Sequence, residues 1–222
     1  AAYAVDRTAG ANPVRQQLDN LRDAGSLYGA IIYQKAPVVM QQLEALVGED
    51  VLREGLRRYL SQYALANASW PDLIDLLDDM SQENLRAWSQ AWVEEAGRTR
   101  IRARWHDAGI TLSQTDDTEG RDLRWQQPIV LAVGGNGAVQ THIAELRERS
   151  VRVEMPDARR PDFILAGADG VGYGRFELDA ASQQYLLMNV QGLASGLHRA
   201  IVWQHLWEAL LEDRLAATDL YQ

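Results

Sequence analysis

The sequence predicts an α+β, multidomain chain, and two changes of hydrophobic period carry that reading. Apolar residues recur at helical spacing from Leu27 to about residue 97, alternate with polar ones from 98 to about 179, and return to helical spacing at Ala180. The expected order is an irregular lead-in with a four-helix segment (1–97), a β-sandwich (98–179) and the start of a further helical segment (180–222).

Residues 1 to about 26 hold no sustained period and carry Gly10, Asn12, Pro13, Asn20, Asp23 and Gly25, so an irregular lead-in is expected. Ile32, Val39, Leu43 and Leu46 then fall near one helical face, with Gly48 as the stop; Pro37 marks either the start of this helix or a bend in it. A second helix begins at Glu49 and Asp50, whose charges suit the first turn, and buries Val51, Leu52, Leu56, Tyr59 and Leu60. Ser69 before Trp70-Pro71-Asp72 is a capped start, followed by Leu73, Leu76, Leu77 and Met80 as the core face. Ser81 is expected to open a fourth helix that buries Leu85, Trp88 and Trp92 and stops at Gly97.

Beyond Gly97, Ile101, Ala103 and Trp105 alternate with Arg100, Arg102, Arg104 and His106, a half-buried strand with a solvated basic face. Further strands are predicted over 110–114, 128–133, 139–146, 151–155, 162–165 and 171–178. That many short strands in roughly 80 residues indicate a sandwich of immunoglobulin-like size. A helix over Leu193–Leu215, burying Ile201, Val202, Leu206, Leu210 and Leu211, closes the sequence.

A net charge of −9 and a pI near 4.9 argue against nucleic acid as a partner. No cysteine is present, which removes disulfides, thiolate ligands and thiol nucleophiles. No apolar run reaches the roughly 18 residues of a membrane span. The start has neither a Met nor a signal-peptide layout, so the chain is expected to be an internal stretch of a larger protein. Any targeting segment would then lie upstream, which leaves a cytoplasmic and a periplasmic setting both open.

Recognisable chemistry is sparse. His198 and His205 are seven apart, two turns along one helix face rather than the single turn that lets two imidazoles share a zinc ion, and His106 and His142 lie on strands. All four are expected to be packing or surface residues. Gly134-Gly135-Asn136-Gly137 and Gly167–Gly174 are followed by strands, so they are turns rather than phosphate cradles. No Gly-x-Ser-x-Gly elbow occurs, Asn67-Ala68-Ser69 is explained by helix capping, and Asp75, Asp78 and Asp79 fit a solvated helix face.

One run of motifs goes further. Tyr33-Gln34-Lys35-Ala36, then Leu46-Val47-Gly48-Glu49, then Gly55 with Tyr59, resembles the aminopeptidase N family of zinc metallopeptidases at nearly the family's spacing. The likeness continues through Asn67-Ala68-Ser69 with Asp72-Leu73, Trp92 with Gly97, Gly172-Tyr173-Gly174-Arg175-Phe176 with Asp179, and Arg199 in the last helix. Gln34, Ala36 and Thr99 depart from the usual Glu, Gly and Pro.

The resemblance implies a parent zinc aminopeptidase acting on peptide substrates. This chain would supply the helical end of its thermolysin-like catalytic domain, an immunoglobulin-like sandwich and the start of an α-helical C-terminal domain. The zinc ligands and general base would lie in the missing upstream part, so no zinc is expected in this chain and no hydrolysis by it alone. Its one implied catalytic residue is Tyr33, matching the tyrosine whose hydroxyl meets the oxyanion of the tetrahedral intermediate. A catalytically dead relative or scaffolding module is the alternative, and an unrelated helix-plus-sandwich protein, such as a sugar-binding module, is a third reading.

Overall fold

A computed structural model describes residues 2–221 apart from 9, 19, 21, 23, 28, 136 and 156–158. Helices and two small sheets make an α+β chain, which separates into two compact units: residues 1–97 with 125–127, and 98–124 with 128–222.

The first unit is helical. Its lead-in is not wholly irregular: α1 spans Ala2–Asp6 and α2 spans Ala24–Leu27, both too short to show a period in sequence. The Asp23 expected in the lead-in lies outside the described residues. Ile31–Lys35 forms a π-helical turn that runs directly into α3, Ala36–Val47, with Pro37 in the first turn of the α segment. The two sequence alternatives for Pro37 thus merge: the α-helix begins there, and the wider turn precedes it. Gly48, at φ +88°, breaks the chain into α4, Glu49–Gln62.

In α4 the expected apolar stripe is shallower than read, since Leu60 is exposed and only Gly55 is fully buried. A Cβ at Gly55 would stand 2.3 Å from the Leu77 side chain, so the absent side chain is what lets α4 approach α5, Trp70–Met80. The start of α5 is closed as expected: the Asp72 carboxylate accepts from the Ser69 backbone N–H at 2.8 Å and from its hydroxyl at 2.6 Å. The cap of α6, Leu85–Ser89, is Asn84 rather than Ser81; its side chain accepts from the Ala87 N–H, while Ser81 ends α5. A second π turn, Gln90–Glu94, follows, and Trp88 and Trp92 stack in the core with centroids 6.1 Å apart.

Among the described residues the second unit holds seven strands, Gln127 at the start of the third excepted: β1 Thr99–His106, β2 Gly109–Asp116, β3 Gln127–Gly135, β4 Ala138–Leu146, β5 Ser150–Glu154, β6 Phe163–Ala166 and β7 Arg175–Glu177. They form sheets of order β5-β2-β1-β7 and β4-β3-β6. β7 is shorter than the expected 171–178 and pairs parallel to β1. Gly174 lies against Thr99 and Ile101, with Ile101 Cδ1 only 2.9 Å from where its Cβ would be. The β3–β4 turn keeps Gly137 at φ +76°, and its Asn136 lies outside the described residues.

Ile101, Ile110, Leu112, Ile129, Leu131, Leu146 and Phe176, drawn from both sheets, meet in one core. On the opposite face of β3 and β6, Ala132, Phe163 and Leu165 pack on α7, Ala180–Asn189, and α8, Gly196–Leu211. All four residues of β6 are therefore buried, as in a strand covered on both faces. The last helix is shorter than the expected Leu193–Leu215 and less one-sided. Ile201, Val202 and Leu206 face the core, while Trp203, Trp207 and Leu211 are exposed.

Candidate functional site

Tyr33 sits in the middle of the π turn, its ring 64% exposed. The wider turn follows from the hydrogen bonding: the Ala36 N–H reaches back to the Ile31 carbonyl, five residues earlier. Such turns cost regular hydrogen-bond geometry and are frequent at functional sites. The two residues after Tyr33 are both held, and Lys35 lies on the opposite, buried side. Gln34 Oε1 accepts from the Ala2 N–H at 3.1 Å. Lys35 is fully buried, its Nζ 2.8 Å from Asp6 Oδ2 and 2.6 Å from the Gly97 carbonyl.

The other motif residues are structural where they stand. Gly48 supplies the left-handed turn between α3 and α4, Gly55 gives the close helix approach, and the Tyr59 hydroxyl donates to the Ser69 carbonyl at 3.2 Å. They join and pack α3, α4 and α5.

The histidines stand apart from Tyr33 in sequence and in the second unit. His106 is exposed beside Asp107, 2.9 Å away, and His142 is half-buried on β4. His198 lies in the first turn of α8. His205 is buried, stacks on Phe176 at 5.2 Å, and burial, aided by Arg214, pushes its pKa down to about 3. An imidazole so desolvated stays neutral and acts as a core aromatic. Among the described residues no three His, Cys, Asp or Glu side chains converge on a point that could hold a metal ion, so the residues present do not fit a zinc site.

The expected basic face of β1 is instead largely neutralised. Arg102 lies 2.5 Å from Glu177 and Arg100 2.8 Å from Asp117; Arg104 and His106 alone keep the solvated character read from sequence. Glu177 is partly buried, which works against its charge, yet Arg102, Arg214 and Arg175 hold its carboxyl below the usual range.

The burial of Lys35 against Asp6, and the bond from Gln34 to the Ala2 N–H, were not legible in the sequence. A lysine in a helical pattern reads as a solvated side chain, and nothing local joins it to an aspartate 29 residues earlier.

Residues 1–92 match the family model described as the Peptidase family M1 domain. The chain is similar to an aminopeptidase N of Streptomyces lividans, 27% identical across 98% of this chain and 28% of that protein. It is also similar to the puromycin-sensitive aminopeptidase of Caenorhabditis elegans, 24% identical across 78% of this chain and 19% of that protein. With the aminopeptidase N of Lactobacillus delbrueckii subsp. lactis the identity is 28%, over 58% of this chain and 16% of that protein. The chain thus spans less than a third of the length of these relatives.

Proposed function

The chain belongs to the aminopeptidase N (M1) family, whose members are zinc peptidases, and from that membership we propose that it forms part of an enzyme removing N-terminal residues from peptides. Residues 1–97 are the helical end of a thermolysin-like catalytic domain, 98–179 an immunoglobulin-like sandwich, and 180–222 the start of a helical C-terminal domain. The family match ends at residue 92, close to the last residue of the helical unit, which supports the first boundary. The zinc ligands and general base come from sequence outside this chain, and what the chain itself offers the reaction is a hydroxyl.

The observation that carries this reading is the outward-facing Tyr33 on a π turn inside the family-matched segment. When water adds to a peptide carbonyl, negative charge develops on the carbonyl oxygen. A phenol O–H aimed at that oxygen donates a hydrogen bond that is stronger to the oxyanion than to the neutral carbonyl, and only such differential binding speeds the chemical step. Losing one donor of this kind lowers kcat by about 100-fold, or about 3 kcal/mol. Tyr33→Phe in the full-length protein should give that loss on an aminoacyl amide with KM little changed. Unaltered kcat in a folded variant with its full metal content would overturn the assignment.

A further inference from the structure

We propose that Lys35 is a positioning residue for Tyr33, an inference that rests on the reading of Tyr33 as the oxyanion donor. The two residues are half a helical turn apart, which puts them on opposite faces: Tyr33 is exposed and Lys35 wholly buried. A lysine is almost never fully buried unless it is paired, and here it meets both a carboxylate and a backbone carbonyl. Its ammonium sits between Asp6 Oδ2 at 2.8 Å and the Gly97 carbonyl at 2.6 Å, with both charged side chains out of solvent.

Stability alone accounts poorly for this arrangement. Desolvating two charges offsets much of their attraction, and a buried pair exchanged for well-packed apolar groups is often neutral or stabilising. What an apolar pair lacks is directional geometry. The ammonium fixes the π turn to α1 through Asp6 and to the end of the helical unit through Gly97, while Gln34 fixes the adjacent residue to the Ala2 N–H. Lys35 thus holds the inner face of the turn, and the solvent-exposed Gln34 ties its rim to α1. The outer face then presents the Tyr33 ring along one direction. An oxyanion donor needs that constraint, because a displacement of about 1 Å can cost on the order of 100-fold in rate.

Two variants of the full-length protein test this. Lys35→Met with Asp6→Leu removes both charges and leaves an apolar pair. Lys35→Gln with Asp6→Asn keeps a polar contact and covers the case in which the first variant fails to fold. In a folded variant kcat should drop, by about 100-fold for the first and about 10-fold for the second, with KM unchanged. The drop should vanish when Tyr33→Phe is already present, since a missing hydroxyl cannot be misplaced. The fluorine resonance of 3-fluorotyrosine at position 33 should shift or broaden in both variants.

A folded variant with parental kcat and an unmoved resonance, while Tyr33→Phe remains crippling, would overturn the role of Lys35 alone. Equal losses with and without the Tyr33 hydroxyl would also overturn it, by showing a merely structural effect. If Tyr33→Phe is itself harmless, the oxyanion reading falls, and the proposal falls with it as a statement about catalysis. The fluorine spectrum then still shows whether Lys35 sets the direction of the ring.

Discussion

The two units solve the burial of charge in different ways. Among the described residues the first holds a dry pair, Lys35 with Asp6, both side chains fully excluded from solvent. The second holds a mesh: Arg98 pairs with Glu208 at 2.7 Å and Glu212 at 3.3 Å, and Arg175 bridges Glu177, Asp117 and Glu212. Arg100, Arg102 and Arg214 then complete the shell around the same carboxylates. In the buried pair the two charges lie 2.8 Å apart and out of water, so removing either takes away a contact that solvent does not replace. In the mesh most carboxylates touch several guanidiniums, and some retain contact with water. Shared counterions disperse the effect of a substitution, whereas a dry contact concentrates it in one place, beside the candidate site.

That contrast can be broken by measurement. The largest effect is expected for Lys35→Met, which takes the ammonium away from a carboxylate shut off from solvent and should cost about 3–5 kcal/mol in urea unfolding. Arg214→Met should cost less, about 2 kcal/mol, because Glu212 keeps Arg98 and Arg175 and Glu177 keeps Arg102 and Arg175. If Arg214→Met proved the more damaging, the mesh would not be redundant.

Acid is the third probe. His205 has a folded pKa near 3, below its unfolded value near 6.5, so the unfolded chain binds the extra proton between those values. Its contribution is complete above about pH 6.5 and lost as the pH falls, about 2 kcal/mol by pH 5. His205→Phe should flatten that limb of the stability curve, and an unchanged slope would refute the buried-neutral assignment. The smallest effect is expected at the rim of the first unit, where Ser69→Ala should cost about 1 kcal/mol by thermal melting through loss of the α5 cap.

What was legible in the sequence is what local rules govern. Ser69 with Asp72, the glycine after α3 and the alternation of Ile101, Ala103 and Trp105 are each decided within a few residues, and each stands where it was expected. The seven strands follow for the same reason. Leu60, Leu211 and the basic face of β1 were misread because their environment comes from distant chain. Whether a leucine on a helix is covered, or an arginine neutralised, depends on partners such as Glu177, which lies 75 residues beyond Arg102. Asn84 displaced Ser81 as a cap although both residue types suit the position, so composition could not choose between them. At the candidate site the sequence singled out Tyr33 through a motif, but the anchoring of the turn that carries it was out of reach, being contacts between residues 29 and 62 positions apart.

The pairing of β1 has a consequence for how the second unit is made. On one side β1 meets β2 through a tight turn, but on the other it meets β7, 75 residues later and parallel. During synthesis that second edge of β1 stays open until residue 175 has emerged from the ribosome. A strand left waiting is a template for pairing with other chains, and charge along it is a standard deterrent. Arg100, Arg102 and Arg104 give β1 that protection while it waits, and two of them find carboxylate partners once the late strand arrives carrying Glu177.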